Sequence, residues 1–501
     1  MYPSRRLFYG VLIDVQQKQV QRRSNPLPRK FLLLAVVLVF SAANLFSQSI
    51  QNLVHQPPDG AGIGFLLTDG TVLYQGNAES DWWKLTPDIN GSYLNGTWAK
   101  MANLPSGYVP DAFASAVLAD GRVVIVGGEY LNGNFTLTNL GAIYDPAKNT
   151  WTNLPAPKAW PYIGDSPSVV LPNGLYLVGN KLAESMAALN PKTLTWTVLP
   201  ETGKADFNAE EGWTLLPDGS ILTFDVKDAP NSERLSPKTR AWSTAGSTIV
   251  DLHSPSPFGC LNFGPNGKYC YYPPGEVGPA ILRPDGTVFA TGSYTSTGSG
   301  AGHTAIFDTK TGKWSVGPDF PNADNAGDNF AALLPNGDVL VEGSFASYLW
   351  NGTSLTQTLG TFGSLLVLPT GQVLVGGSQV YNPAGTYQAA WAPTITSVPT
   401  SLTRGTTYKI SGTQFNGLSQ AAAFGDEYET ATNYPLVRIT NRASGHVFYA
   451  RTHDHSTMGV ATGSATVSTN FDVPTGMETG ASKLEVVANG IPSSPVSVTV
   501  N

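Results

Sequence analysis

The feature that most constrains the fold is a phrase that recurs seven times between residues 58 and 378. Each copy is an apolar run, a pair such as Asp-Gly or Asn-Gly, and a second apolar run such as TVLYQG or VVIVGG. Asp-Gly and Asn-Gly supply the positive φ angles of a tight turn, so each copy predicts a two-stranded antiparallel hairpin. The turn residues are Asp69, Asp120, Asn173, Asp218, Asp285, Asn336 and Thr370.

A second recurring phrase, typified by GAIYDPAKNTWTNLP, follows most copies and indicates another hairpin. Each unit then holds four strands, which cannot bury their faces alone but can do so when arranged radially. The sequence therefore predicts an all-β fold whose main part is a seven-bladed β-propeller. Whether the segment IQNLVHQPP adds a strand that closes the ring is left open. The tryptophans of the second hairpins are Trp151, Trp196, Trp242, Trp314 and Trp391.

Composition agrees with a turn-rich β protein. The chain has 53 glycines and 37 prolines, aromatic residues make up 10% and charged residues only 13%, whereas helical proteins carry more Glu, Lys and Arg. The net charge of -7 offers no basic field for a phosphate backbone, which argues against nucleic acid as a partner.

The N-terminal segment predicts export. Arg22, Arg23, Arg29 and Lys30 precede an apolar run and a stretch of small residues, the order of a secretory signal. Residues 1–47 are interpreted as a signal peptide cleaved near Ser47 or, alternatively, as an uncleaved anchor, although the run is short for a membrane span. A periplasmic, cell-surface or secreted monomer is expected, with membrane contact only through such an anchor.

Specific phrases in the repeats resemble the kelch family and the galactose-oxidase-like propellers. These are DGRVVIVGG, TGQVLVGG and Tyr144 in IYDP, together with the tryptophans. The resemblance implies a kelch-type propeller over residues 48–394 and an immunoglobulin-like (E-set) β-sandwich over residues 395–501. Such phrases specify fold better than chemistry.

The copper-radical chemistry of galactose oxidase requires a cross-linked Tyr, a Tyr-His pair and a further His from the C-terminal domain. This sequence has no Tyr-His dipeptide, and its C-terminal loop offers Asp426, Glu427 and Tyr428. Copper is therefore not expected. We expect a binding module for carbohydrate or protein ligands rather than an enzyme. The alternatives are a divergent oxidoreductase, a carboxylate- or metal-dependent hydrolase, and a structural scaffold.

Six of the seven units place a carboxylate eight to ten residues before the turn residue. In a propeller these positions converge around one axis, where a cation such as calcium, protonation, or bonding to backbone amides would relieve repulsion. A capping role copied with the repeat is the alternative to a ligand or cation ring. The six residues are Asp59, Asp111, Asp165, Glu210, Glu276 and Asp328.

Two further groups are candidate sites. The insertion around Cys260 and Cys270 predicts a local disulfide and a ligand loop, although its aromatic residues could serve only to pack the loop. His453 and His455 lie two apart, as in a metal pair on a strand, but loop histidines are more often bonded to backbone. The aromatic residues of the insertion are Phe258, Phe263, Tyr269, Tyr271 and Tyr272.

Overall fold

Antiparallel strands make up nearly all of the regular structure in the computed structural model, which confirms the prediction of an all-β fold. The structure describes residues 47–77, 79–254, 259–262, 268–271, 275–293 and 300–501; those from 47 onward belong to one compact unit. The predicted export signal lies outside these ranges, apart from residue 47. No helix among the described residues is long and apolar enough to cross a membrane. Two single-turn 3-10 helices are described, Pro321–Ala323 and Ala389–Trp391.

Seven antiparallel sheets follow one another along the described chain, numbered here sheet 1 to sheet 7; six have four strands, and sheet 6 gains a fifth from the C-terminal region. Sheet 1 comprises β2 (Gly64–Leu66), β3 (Val72–Gln75), β4 (Trp82–Thr86) and β5 (Thr97–Lys100); sheet 2 comprises β7 (Ala114–Val117), β8 (Val123–Val126), β11 (Gly141–Asp145) and β12 (Thr150–Asn153). Sheet 3 comprises β13 (Ser168–Val170), β14 (Tyr176–Gly179), β15 (Met186–Asn190) and β16 (Thr195–Leu199); sheet 4 comprises β17 (Thr214–Leu215), β18 (Ile221–Phe224), β19 (Asn231–Leu235) and β20 (Trp242–Ser247). Sheet 5 comprises β23 (Val277–Leu282), β24 (Thr287–Gly292), β25 (Thr304–Asp308) and β26 (Lys313–Val316); sheet 6 comprises β27 (Ala331–Leu333), β28 (Val339–Glu342), β29 (Ser347–Trp350) and β30 (Leu355–Gln357). Sheet 7 comprises β1 (Ser49–Asn52), β31 (Leu365–Val367), β32 (Val373–Val375) and β33 (Gln379–Asn382).

Sheet 7 takes its fourth strand from the beginning of the described chain. Strand β1 pairs with β33 in antiparallel register, with Ser49 opposite Asn382, which settles the question left open for the N-terminal segment. The second strand expected around Trp391 does not form, because β1 occupies that edge and Trp391 lies in a 3-10 helix. The other four tryptophans of the second hairpins lie in fourth strands, as expected: Trp151, Trp196, Trp242 and Trp314.

The predicted turns have a common mechanism. The glycine of each turn has a φ between 76° and 91°, a conformation that costs other residues energy. The Asp or Asn before it accepts the backbone N–H two residues on, as in Asp69 to Thr71 at 3.0 Å and Asp285 to Thr287 at 2.9 Å. This Asx-type bond fixes the hairpin locally, which explains why the repeat could be identified from sequence.

The first strands of the sheets lie at the interior. Strands β2 and β7 are wholly buried, whereas the fourth strand β12 has three exposed residues and one half-buried residue. First strands of neighbouring sheets contact each other, including β7 with β13, β23 with β27, and β31 with β2. Each first strand runs from an entry loop to the Asp-Gly or Asn-Gly turn, so the entry loops meet at one end and the turns at the other.

The C-terminal residues form a larger sheet around a separate apolar core that includes Ile410, Val437 and Phe471. Between its strands, residues 419–433, named here the inserted segment, contribute β37 (Ala422–Ala423), which pairs with β27 of sheet 6. The strands of this region are β34 (Thr394–Ser397), β35 (Ser401–Leu402), β36 (Thr407–Thr413), β38 (Leu436–Asn441), β39 (Val447–His453), β40 (Val467–Asp472), β41 (Gly480–Ala488), β42 (Ile491–Pro492) and β43 (Val496–Val500).

Two small sheets lie in loops. One joins β6 (Pro110–Asp111), β9 (Tyr130–Leu131) and β10 (Asn134–Phe135). The other pairs β21 (Gly259–Asn262) with β22 (Lys268–Tyr271) and places Cys260 directly opposite Cys270 along the backbone. The disulfide and the ligand role of this loop stay predictions. Of the expected aromatic residues, Phe258, Phe263 and Tyr272 lie outside the described residues, and only the backbone is described for Tyr269 and Tyr271.

Candidate functional site

The C-terminal region packs against the turn ends of the first strands. The backbone N–H of Thr452 donates to the Thr68 carbonyl at 3.0 Å, and that of His455 donates to Ala119 at 3.0 Å. The N–H of Met458 reaches the Pro172 carbonyl at 3.1 Å. Sheets 1, 2 and 3 are therefore all contacted at the ends where their hairpins turn.

From that end the inserted segment runs alongside the first strands to the entry loops. The N–H of Leu215 in sheet 4 donates to the Gln420 side-chain oxygen at 2.7 Å, and Ser115 in sheet 2 donates to the Glu429 carbonyl at 3.2 Å. At the entry-loop end, the Tyr428 hydroxyl donates to the Asp111 carboxylate. The segment thus brings Asp426, Glu427 and Tyr428 to the loops that carry the predicted acidic positions.

At that end, one buried ammonium lies among converging carboxyl groups. Lys181 Nζ donates to Asp165 and, at 2.7 Å, to Glu210 Oε1, and only 3% of the Lys181 side chain is exposed. Oxygens of Asp165, Glu210 and Asp426 lie within 4.8 Å of one another. We call this group the Lys181 cluster; its members are Lys181, Glu129, Asp165, Glu210, Glu276, Asp328, Asp426 and Glu427, and Asp111 and Tyr428 adjoin it.

Five of the six predicted acidic positions are brought to this end of the sheets. Four belong to the cluster itself, and Asp111 adjoins it. Asp59 stays apart: its carboxyl lies beside Gly76, and no described contact joins it to the cluster. The seventh unit has Thr361 at this position, as the sequence shows.

The entry loops share an unusual backbone conformation. A residue with φ between 49° and 99° occurs in six of them, at or within two residues of the acidic position or of Thr361. Three of these residues, Ala112, Glu210 and Asp328, are not glycine, and each such residue costs about 1 kcal/mol or more. Since the surrounding packing holds this strain at one place, it marks the entry loops as a candidate functional region. The other three residues are Gly60, Gly164 and Gly363.

The charges of the Lys181 cluster are unbalanced. Burial alone would lower the pKa of Lys181, but Asp165 and Glu210 outweigh it and hold that pKa well above its usual value. Burial opposes ionisation of Glu210, yet Lys181 brings the Glu210 pKa below its usual value. One carboxylate is thus firmly ionised next to the ammonium.

The remaining acids are held towards their neutral forms. Burial, followed by the charges of Glu210 and Asp328, raises the pKa of Glu276 to about 12. Burial and Glu210 raise the pKa of Asp328 to about 6. The pKa values of Glu129, Asp426 and Glu427 are also raised, chiefly by burial. The acids therefore relieve their repulsion through an internal lysine and by retaining protons.

Two polar atoms of the cluster have no hydrogen-bond partner among the described residues although they are buried. They are Oδ1 of Asp165, a residue only 3% exposed, and Oδ2 of Asp426, which is 2% exposed. Buried oxygens are normally hydrogen-bonded, because leaving one unpaired costs about 1 to 3 kcal/mol. The cluster therefore has unused hydrogen-bonding capacity.

Exposed aromatic residues lie on loops at the same end. Tyr130 and Phe135, 37% and 40% exposed, contact each other edge to face with their centroids 5.9 Å apart. Tyr130 directly follows Glu129, and burial together with the Glu129 charge raises the pKa of Tyr130 to about 12. Phe345 and Phe362 are still more exposed; Phe345 lies between the second and third strands of sheet 6, and Phe362 lies in the entry loop of sheet 7. Apolar faces thus accompany the acids.

Lys181 and Glu129 were not identified from the sequence. Both follow the second strand of their sheets, in VGNK and VGGE, so they occupy equivalent positions in the repeat. Aligning the ends of the second strands, rather than only the entries to the first, would have indicated them. Asp426 and Glu427 had no local signal, because the chain reaches this place from a different region.

The histidines lie elsewhere. His453 ends β39 and hydrogen-bonds with Asp454 and Asp472, whereas His455 lies beyond the strand and bonds with Thr469 at 2.8 Å. Burial lowers the pKa of His455 to about 3. The bonds of His55, His253, His303 and His446 also lead to other groups. Hard carboxyl oxygens and an ammonium do not fit copper, which prefers imidazole.

A second lysine lies in a buried acidic group, which we call the Lys204 cluster: Lys204, Asp206, Glu211, Asp225 and Glu233. Lys204 Nζ donates to both oxygens of Glu211 at 2.9 Å and to Glu233, and lies over the Trp242 ring at 5.1 Å. Asp206 accepts three backbone N–H groups from residues 226–228. The side chains of Lys204 and Glu211 are wholly buried.

Comparison with known proteins gives distant similarities. No protein-family model matches the chain. The Kelch-like protein terF of Aspergillus terreus is 28% identical over 121 residues, which cover 22% of this chain and 26% of that protein. Galactose oxidase of Gibberella zeae is 25% identical over 242 residues, which cover 45% of this chain and 32% of that protein. The chain thus matches no more than about a third of the length of these relatives.

Among solved structures, a fungal alcohol oxidase of the AA5 family in complex with copper shares 12% identity, with a TM-score of 0.46 and coverage of 91% of this chain and 99% of that one. Likeness at that level identifies no function. Taken with the repeats, the sequence relatives support a propeller of the kelch and galactose-oxidase type.

Proposed function

We propose that this protein is an exported binding module whose Lys181 cluster is the ligand site. The seven sheets would be the blades of one propeller closed by β1, and the C-terminal sheet an immunoglobulin-like domain. The observation that carries the proposal is the convergence of acids from several sheets and from the inserted segment around a single lysine. Residues distant in sequence thereby form one site that can accept further hydrogen bonds.

A carbohydrate or protein is the proposed ligand class. Carboxyl groups accept hydrogen bonds from hydroxyl and amino groups, and exposed aromatic rings such as Tyr130 offer faces for apolar C–H surfaces. One relative is named for the oxidation of galactose, which supports a sugar ligand. No nucleic acid is proposed as a partner.

Calcium is the cation that we propose for this site. Asp165, Glu210 and Asp426 supply the hard oxygen ligands that calcium prefers. Lys181 already neutralises two of them, so an added cation has to displace its ammonium or use Glu276 and Asp328 instead.

The enzyme alternative rests on one observation. Burial and the charge of Glu210 hold Glu276 neutral, whereas Lys181 keeps Glu210 ionised by lowering its pKa, and a neutral and an ionised carboxyl group can act as acid and base in hydrolysis of a glycoside or lactone. The oxidoreductase alternative lacks support from the donors at this cluster. A scaffold without a ligand is the third alternative.

Thermal unfolding and calorimetric titration test the proposal. The wild type, Glu276→Gln and Asp328→Asn are compared in calcium, in EDTA and with neutral and charged oligosaccharides, with Glu201→Gln, an exposed acid, as the control. Ligand-dependent stabilisation lost only in the two cluster variants is expected. Absence of any response in the wild type would favour a scaffold, and turnover of a bound sugar abolished by Glu276→Gln would favour a hydrolase.

A further inference from the structure

We infer that the ligand of the Lys181 cluster is an oligosaccharide that carries free primary amines, such as a glucosamine oligomer. This inference rests on the proposed function, because it names the ligand class for the same site. It concerns the chemical group that the cluster recognises.

The first support is that the cluster already accommodates an ammonium. Lys181 Nζ is bound by Asp165 and Glu210, so spacing and donor geometry suit a compact cation with three N–H groups. Seven carboxyl groups accompany this one ammonium. A second ammonium would meet acids for which the described residues provide no further cationic partner.

The second support is the pair of buried oxygens without partners, Asp165 Oδ1 and Asp426 Oδ2. Both belong to acids that adjoin Lys181, and neither receives a hydrogen bond from the described residues. An arriving N–H donor supplies what these atoms lack. A neutral hydroxyl also donates, but it brings no charge to the acids.

The third support is access. Asp328 is exposed, and Glu129, Glu210 and Glu276 are half-buried, so the cluster has a solvent-facing side. Beside it lie the exposed rings of Tyr130 and Phe135. A saccharide ring stacked on these faces places an amine substituent over the acids, which favours an amino sugar over a protein ligand.

Binding should release protons. Acids held neutral around Lys181 lose protons when a further ammonium joins them, since a nearby cation favours the charged carboxylate. The titratable groups that face one another here are Asp111, Glu129, Tyr130, Asp165, Lys181, Glu210, Glu276, Asp328, Asp426, Glu427 and Tyr428. Affinity for the amine should therefore rise with pH while the sugar amine remains protonated.

The experiment compares glucosamine oligomers with N-acetylglucosamine oligomers of the same length, which carry a neutral acetamide group in place of each charged amine. Titration calorimetry uses the whole protein at physiological salt concentration, which screens nonspecific attraction between a cationic oligomer and an acidic protein. The amine oligomer should bind at least about tenfold more tightly. Glu276→Gln and Asp328→Asn should weaken it, and Glu201→Gln should leave it unchanged.

The outcomes are distinct. Equal affinity for both oligomers, lost in Glu276→Gln, would overturn the amine preference and leave the proposed carbohydrate site intact. Binding of a lysine-rich peptide without binding of either oligomer would overturn the claim that the ligand is a saccharide and would identify a protein ligand. Amine binding that survives both cluster variants would place the ligand elsewhere and overturn the inference and the proposed site together.

Discussion

The Lys181 and Lys204 clusters pair the same ingredients in different surroundings. In the Lys204 cluster the ammonium is wholly enclosed, bonds to both oxygens of Glu211 and lies over Trp242, while backbone N–H groups satisfy Asp206. The Lys181 cluster keeps an exposed residue, Asp328, three half-buried acids and two unpartnered oxygens, whereas the described part of the Lys204 cluster has one unpartnered oxygen, Asp225 Oδ1. Similar charges therefore serve packing in one place and leave capacity for a ligand in the other.

The largest expected effect comes from removing the enclosed lysine. Lys204→Met leaves Glu211 and Glu233 buried without a cation and should lower the free energy of unfolding by about 3 to 5 kcal/mol. Lys181→Met should cost less, about 1 to 3 kcal/mol, because water and protons reach its acids more easily. Guanidinium unfolding measures both.

Lys100→Met is the matched control for those variants. Its ammonium pairs with Asp81 while half exposed, so its loss should change stability by no more than about 1 kcal/mol. A cost for Lys181→Met equal to that for Lys204→Met would erase the distinction between the clusters.

One acid from each cluster, Asp225 and Asp328, should also differ in pH dependence. Burial and Glu233 raise the pKa of Asp225 to about 8, against about 6 for Asp328. An acid whose pKa is higher in the folded state contributes stability below its unfolded pKa and loses it as pH rises through the folded pKa. The free energy of unfolding of Asp225→Asn should therefore increase relative to that of the wild type as pH rises from about 4 to about 8, by a few kcal/mol in total.

The free energy of unfolding of Asp328→Asn should gain less on the wild type, and only from about pH 4 to about pH 6, since the pKa shift of Asp328 is smaller. Unfolding free energies measured across this range give both profiles. A gain for Asp328→Asn that continued to pH 8 would show that the Lys181 cluster is as enclosed as the other.

The smallest expected effect concerns the inserted segment. Tyr428→Phe removes the hydroxyl that donates to Asp111 and accepts the Ala112 N–H at 2.6 Å. Stability should fall by about 1 to 2 kcal/mol, and ligand affinity should weaken because the segment loses an attachment beside the cluster. No change in either thermal unfolding or titration would mean that other contacts position the segment.

The sequence predicted the elements that depend on local chemistry. Asp69-Gly70 and its counterparts form turns because an Asx bond and a left-handed glycine act within a few residues. Trp391 was placed wrongly because the competing strand, β1, comes from the opposite end of the described chain. A local pattern carries no information about that competition.

For the candidate site as well, the sequence predicted what the local repeat determines and did not predict what depends on long-range contacts. Asp165, Glu210, Glu276 and Asp328 were found because the repeat copies one position into neighbouring sheets. Lys181 reverses the charge of its counterpart Glu129, so a search for acids missed it. The contribution of Asp426 depends on a long-range path alongside the first strands, and only the tertiary structure reveals it.

Titration calorimetry in two buffers of different ionisation enthalpy tests most directly whether the Lys181 cluster is the open site. With a glucosamine oligomer, the wild type should release protons on binding, Glu276→Gln should release fewer, and Asp225→Asn should match the wild type. Binding without proton release would contradict the division between a ligand site and a structural cluster. An equal reduction in the number of protons released by Glu276→Gln and by Asp225→Asn would contradict it as well.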